Sequence, residues 1–451
     1  MLREKFTVRN SIYFLVFLVV LGYLVSICFL NLTGRVWCNY DIYSDAVLAK
    51  YMWEAKTLFP RGWHFGNQIY VTATPAVAAL FYGVTEDAYL ALAFASCFMT
   101  LGILFSYIWC VKPFVHVKSI LVSLLVVIGG TNIGSTAHGD WLGFQVFYTM
   151  ASYYACYVIG IFLTLGVYFR LVNQKRVPIL IQLGVLFYNL ALGMQSLREM
   201  LVLNLPLCAI VILHILLHHK DLRKYLQEKR DSIMFAFLAL VCNCCGVLLT
   251  KIFIQNGTVK QSTIISAVSP NIRENYEVTV NATRDYIGLC TPTTFFEWLK
   301  HIGGIFSIGI VLLSLLCIFI GYRKDKKIVT MGYIVLFFVI SLLAVFCAGL
   351  FIISVRDIYF FCWYFLVASS VAMLMEERWG VLLKGVLIVG LIGISVLNYD
   401  FTFGQSYRWL SGANNLYQGI VGQLQELGIT YLYSDWRTER NKISAMSFAD
   451  E

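Results

Sequence analysis

The sequence predicts an all-α integral membrane protein with about eleven transmembrane helices, and three observations carry that expectation. Apolar residues make up 59% of the chain and charged residues only 13%, with a mean hydropathy of +0.74, so no water-soluble domain could bury this much hydrocarbon. Apolar runs of the ~20 residues needed to cross a bilayer recur along the chain. The polar segments between them alternate between basic and acidic character, as loops on opposite faces of a membrane do.

The runs fall near 11–31, 87–111, 119–137, 146–169, 178–196, 200–217, 233–254, 302–321, 328–352, 358–375 and 380–398. The run 70–84 is short and carries Thr72, Thr74 and Pro75, which predicts a re-entrant or interfacial segment. Were it to span, every later loop would change sides. Charge decides between the two. On the amino-terminal side lie Leu2 to Lys5, Lys112 to Lys118, Arg170 to Arg176, His218 to Arg230, Arg323 to Lys327 and Glu376 to Arg378, most of them strongly basic. The opposite loops hold Asp41, Asp45, Glu54, Glu86, Asp87, Asp140, Glu274, Glu277, Asp285 and Glu297. An excess of Lys and Arg marks the cytoplasmic face, so the amino terminus is expected inside and the carboxyl terminus outside. The net charge of +9 then belongs to cytoplasmic loops and gives no reason to expect nucleic acid as a partner. Residues 1–31 read as an uncleaved first span, because no small-residue cleavage pattern follows before Asn31-Leu32-Thr33.

Residues 1–398 thus form a transmembrane domain with two long extracytoplasmic loops, 32–86 and 255–301, each rich in aromatic and charged residues. Residues 399–451 are expected to be a small extracytoplasmic α/β segment. It has a helix-like pattern (Leu416, Ile420, Leu424, Leu427), a stop at Gly428 and a strand-like stretch from Ile429 to Tyr433. One helix and one strand cannot bury a core, so the segment either packs on the membrane domain or belongs to a larger domain. Nearly all of the 13 cysteines lie in apolar runs, as at Cys242, Cys244 and Cys245, and read as small hydrophobes. Cys38 and Cys290 fall in the long loops, where an oxidising compartment would permit a disulfide.

The first loop predicts an amphipathic helix from Ser44 to Phe59 lying at the membrane surface, with Val47, Leu48, Tyr51, Met52 and Ala55 toward lipid or the bundle and Pro60-Arg61-Gly62 ending it. Asp41 and Asp45, four residues apart at its start, would face one direction if the first turn is helical. A carboxylate in a partly desolvated cleft suits a general base. Asp and Ser at a helix start equally suit capping. His138 and Asp140, in a short loop on the same face, have either the chemistry of a divalent-metal site or that of a turn with polar caps. Arg198 and Arg356 occupy very short loops between apolar helices. Each offers a bidentate fork for phosphate, and each has an acidic neighbour, Glu199 or Asp357, with which it can pair locally. No span has an ionisable residue near its middle, Lys251 and Lys384 lying toward ends, which argues against an ion-coupled transporter. Walker, dinucleotide and zincin motifs are absent from the sequence.

An amino-terminal span, then a large loop opening with an acidic motif on an amphipathic helix, resembles the GT-C class of membrane glycosyltransferases, most of all bacterial members related to aminoarabinose and protein O-mannosyl transferases. The residues that carry the resemblance are Tyr40-Asp41, the stretch Asp45 to Lys50 with Leu58-Phe59-Pro60 at its end, Arg198, and Arg356-Asp357-Ile358-Tyr359, within about the first 400 residues. It implies transfer of a sugar from a polyprenyl-phosphate-linked donor to a glycan, lipid or protein acceptor on the outer face of a bacterial plasma membrane. Asp41 would be the catalytic base with Asp45 assisting. Arg198 and Arg356, with Lys50 and Tyr359, would hold the donor phosphate, and the 255–301 loop would close over the donor. The chain departs from relatives with adjacent Asp and Glu, since Asp41 is flanked by Tyr40 and Ile42. The rival expectations are a lipid or polysaccharide flippase and a non-catalytic assembly subunit. Missing midplane charges and repeats oppose the first, and the grouping of acids and arginines on one face opposes the second.

Overall fold

The computed structural model describes residues 8–33, 40–66, 68–130, 147–148, 153–218, 221–261, 271–289, 291–321, 326–351, 357–377, 381–399, 403, 423 and 426–428. Helix α1 (Val8–Thr33) is followed by α2 (Tyr40–Glu54), the short α3 (Thr74–Thr85), α4 (Ala88–Val111), α5 (Val117–Gly129), α6 (Ala155–Val172) and α7 (Ile179–Gln195). A π-helical turn, Met200–Asn204, runs on into α8 (Leu205–Leu217), and α9 (Leu222–Glu228) leads to α10 (Arg230–Gln255). Then come α11 (Ile272–Ile287), α12 (Phe295–Gly321), α13 (Lys326–Gly349), a 3-10 turn at Asp357–Phe360, α14 (Cys362–Glu376) and α15 (Val381–Tyr399). Among the described residues, strand pairing is confined to His64–Phe65 lying parallel to Lys260–Gln261, which ties the first long loop to the second.

Nine helices among the described residues are long and apolar enough to cross a bilayer, and the chain is a multi-pass membrane protein. Two of the expected spans are shorter here, as Val117–Gly129 and Ile179–Gln195. The bundle turns large apolar side chains outward, among them Phe14, Val25, Phe105, Leu180, Phe187, Phe319 and Val389, which is the arrangement expected when lipid is the solvent. Its centre is α14. Every residue from Cys362 to Met375 is buried, so a helix apolar around its whole circumference has protein on all sides. Polar contacts fix its neighbours in register: Ser314 donates to Ser370 at 2.9 Å, and Tyr107 donates to Ser123 at 2.7 Å.

Close helix approach depends on glycine at one crossing. A Cβ on Gly193 of α7 would lie 2.1 Å from the Asn243 carbonyl oxygen of α10, and one on Gly246 would lie 2.1 Å from the Leu190 oxygen. With the backbones this near, Asn243 Nδ2 donates to Asn189 O (3.3 Å) and Thr250 Oγ1 to Met194 O (2.6 Å). Small residues plus interhelical hydrogen bonds are the usual cement where no hydrophobic effect operates between helices.

The segment expected to be re-entrant contains α3, whose 12 residues span about 18 Å at 1.5 Å per residue, well short of a ~30 Å hydrocarbon core. Pro75 sits in its first turn, where the missing amide costs nothing. Helix α2 differs from expectation. It begins at Tyr40 rather than Ser44 and ends at Glu54, and it is enclosed rather than lying on a surface. Ile42, Asp45, Ala46, Val47, Leu48, Ala49 and Met52 are all buried. One side packs on Ala78, Tyr89 and Leu92 of α3 and α4, and the other on Phe65, Ile69 and Val259 of the two loops that the strand pair ties together. In the carboxyl-terminal segment, the expected stop at Gly428 has a left-handed φ of +62°, and Leu427 N donates to Gln423 O at 3.0 Å. The expected strand 429–433 lies outside the described residues.

Candidate functional site

The site is built around the turn between α7 and the π-helical turn. Helix α7 stops because Ser196 adopts an extended backbone, φ −166° and ψ 152°. The Ser196 hydroxyl then accepts from Arg198 N at 3.1 Å and starts the next helix. Gln195, buried at the end of α7, accepts from Val71 N (3.3 Å), Thr72 N (3.2 Å) and the Thr72 hydroxyl (3.4 Å), and its amide points to Cys156 Sγ at 3.1 Å. One side chain thus staples the first long loop to the bundle.

Arg198 projects from this turn into a cage of three tyrosines. Its guanidinium carbon is 4.7 Å from the ring centre of Tyr154, 5.3 Å from that of Tyr359 and 5.6 Å from that of Tyr157. Arg198 Nη1 reaches Gln68 Oε1 at 3.5 Å, and the Tyr157 hydroxyl donates to the same oxygen at 2.9 Å. Aromatic faces attract the guanidinium through the ring quadrupole without neutralising it. Among the described side chains, which do not include those of Asp41 and Asp357, no carboxylate lies within ion-pair distance of Arg198. Helix α6 starts at Ala155, the π-helical turn at Met200 and the 3-10 turn before α14 at Asp357, so three chain segments begin their helices around this cation. The second long loop packs beside the cage: α11 lies on the turn that bears Tyr359, Asn275 Nδ2 donates to Leu350 O (2.9 Å), and Tyr286 meets Tyr364 with ring centres 5.2 Å apart.

Glu199, the acidic neighbour that sequence adjacency offered as a local partner for Arg198, points elsewhere. It is fully buried, and neither carboxyl oxygen meets a hydrogen-bond donor. Space for it comes from Gly160 of α6, where a Cβ would stand 3.2 Å from Glu199 Oε1. Burial pushes this carboxyl well above the usual range. Arg198 and Glu199 therefore form separate sites, a charged one in the cage and a dry one in the interior.

The other predicted residues distribute as follows. Asp45 is only 3% exposed, in the middle of α2 where that helix is enclosed. Asp41 lies in the first turn of α2, one turn before Asp45, and its side chain is outside the described residues. Lys50 pairs with Glu54 at 3.9 Å, one turn along the same helix. Tyr359 joins Arg198 in the cage. Arg356, His138 and Asp140 lie outside the described residues, as do Cys38 and Cys290. Among the described residues, no group of three or more His, Cys, Asp or Glu is placed to hold a metal ion.

Tyr154, Tyr157, Gln68 and Gln195 were not singled out from sequence. The available signal was a Tyr153-Tyr154 pair followed by Tyr157 at the start of a span, which reads as an interfacial aromatic belt unless an arginine is known to face it. No known protein family and no curated protein matches this chain.

Proposed function

We propose that the protein is a membrane glycosyltransferase of GT-C type that moves a sugar from a polyprenyl-phosphate-linked donor to an acceptor on the extracytoplasmic face of a bacterial plasma membrane. The observation that carries this reading is Arg198, a cation held in place by Tyr154, Tyr157 and Tyr359 with no carboxylate beside it among the described side chains. A fixed, uncompensated guanidinium at the end of a greasy bundle suits a lipid-borne phosphate, which arrives from within the bilayer and needs neutralising as the leaving group develops charge.

In this reading the amino terminus is cytoplasmic and the carboxyl terminus is outside. Arg198 holds the donor phosphate, with Arg356 completing the clamp and the Tyr359 ring fixing the plane of the Arg198 fork. The burial of Asp45 favours Asp41 as the base that takes the proton of the acceptor hydroxyl, with Asp45 supporting the first turn of α2. In-line attack then inverts the anomeric carbon. The ion pair of Lys50 with Glu54 favours a structural task for Lys50 over one at the phosphate.

The test is sugar transfer from a polyprenyl-phosphate donor by the purified chain in proteoliposomes, comparing the parent with Asp41→Asn. The variant is expected to lose turnover while donor binding stays near parental. Parental turnover in Asp41→Asn removes the base assignment. Lipid translocation without transfer by the parent replaces the whole reading with a flippase.

A further inference from the structure

An apolar crevice of about 220 Å³ lies between α12 and α15, floored by α14, at the end of the bundle where α14 hands over to α15. Phe306, Ile310 and Leu313 form one wall, Leu387 the other and Leu374 the floor, and Lys384 is the one charged group in its lining. The mouth faces lipid: Leu383 and Val386 of its lining on α15 are exposed, as are Leu312 and Leu316 on α12. All three helices belong to spans, so water is not the solvent there. An empty space at that depth would forfeit the dispersion contacts of its walls, and the surrounding medium that can fill it is hydrocarbon chain.

Filling the crevice does not by itself select a lipid, because a tail gains no hydrophobic energy on leaving other tails. Selection falls to Lys384. Its ammonium donates to the Met375 carbonyl at 2.6 Å, in the last turn of α14, and meets no carboxylate among the described residues. An ammonium has three protons to donate, so two remain for an oxygen outside the helix pair. We propose that the crevice is a lipid site in which an anionic phospholipid lays one acyl chain between α12 and α15 and rests its head-group phosphate on Lys384. On the orientation proposed above this is a lipid of the cytoplasmic leaflet, on the side opposite Arg198. The site itself depends only on the helices being in a membrane, so it stands or falls separately from the transferase reading.

The experiment titrates the detergent-solubilised full chain with dioleoyl phosphatidylglycerol or dioleoyl phosphatidylcholine and follows the thermal unfolding midpoint. One lysine near an anionic head group supports a preference of about fivefold, read as half-saturation at roughly one-fifth of the lipid concentration. Lys384→Gln is expected to abolish the preference and Lys384→Arg to keep it. Gly309→Phe fills the crevice from α12 at a position where a Cβ would meet no atom within 4 Å, and is expected to weaken both lipids. Equal half-saturation by the two lipids in the parent would overturn the proposal. So would a preference that survives in Lys384→Gln, or unchanged lipid response in Gly309→Phe.

Discussion

Replacing Glu199 by Gln should change how stability depends on pH, and the size of the change follows from where the carboxyl sits. Both oxygens are buried without a donor, immediately before the span that starts at Met200. The titratable groups around it are the thiols of Cys156 and Cys362 and the phenol of Tyr188, none of which supplies a positive charge, and Arg198 is turned away into its cage. Burial raises the carboxyl above its ordinary value of 4.5. Between that value and the raised one, the folded protein holds a proton that the unfolded chain has released. The contribution is fully present below 4.5 and is lost as pH rises toward and through the raised value, at about 1.4 kcal/mol per pH unit. Above pH 4.5 the parent should therefore lose stability from this one group as pH rises. Glutamine has nearly the same shape and no titration, so Glu199→Gln should lack this slope and gain on the parent as pH rises. Thermal unfolding in detergent at half-unit steps of pH reads the difference. Parallel parent and variant profiles would show that Glu199 is ionised or solvated in the folded state, and the dry site would be refuted.

Further outcomes follow from the packing. Gly246→Leu puts a side chain where backbone atoms of α7 stand 2.1 Å from a Cβ, so it should cost several kcal/mol or prevent folding, measurable as lost monodisperse yield, whereas Gly385→Ala on α15 meets nothing within 4 Å and should be neutral. Gln195→Leu leaves the Val71 and Thr72 amides without their acceptor and should cost about 1–3 kcal/mol, with protease sensitivity appearing first around residues 66–73. Thr294→Ala should fray the start of α12 by about 1 kcal/mol, since Thr294 Oγ1 accepts from Glu297 N at 3.3 Å while the Glu297 carboxylate accepts from Thr294 N at 3.0 Å, a reciprocal cap readable by local hydrogen exchange.

The spans were legible because twenty apolar residues in a row have one physical explanation, and α3 was legible as a short segment because Thr72, Thr74 and Pro75 interrupt the run. Helix α2 was half legible. Its apolar positions marked a helix, but a single sequence does not say that the 255–261 stretch returns to cover the second face through Val259. Arg198 stood out as a charge in a very short loop, yet its cage did not, because the Tyr154 and Tyr157 pair, Arg198 and Tyr359 come from three separate parts of the chain and meet only through the bundle. Adjacency was misleading for Glu199. Successive residues on a helix point about 100° apart, so neighbours in sequence serve different environments, and here a glycine on α6 opened the interior to one of them. Asn204, buried in the π-helical turn with neither amide atom hydrogen-bonded, gave no sequence signal at all.

Arg198 is proposed to grip a lipid-borne phosphate, and the direct measurement is equilibrium binding of a short-chain polyprenyl phosphate to the reconstituted chain. A charge-assisted contact contributes about 1.5–3 kcal/mol, so Arg198→Ala should raise Kd by roughly 10- to 150-fold, with Arg198→Lys falling between because it keeps the charge and loses the fork. A Kd in Arg198→Ala equal to that of the parent would show that Arg198 does not hold the phosphate.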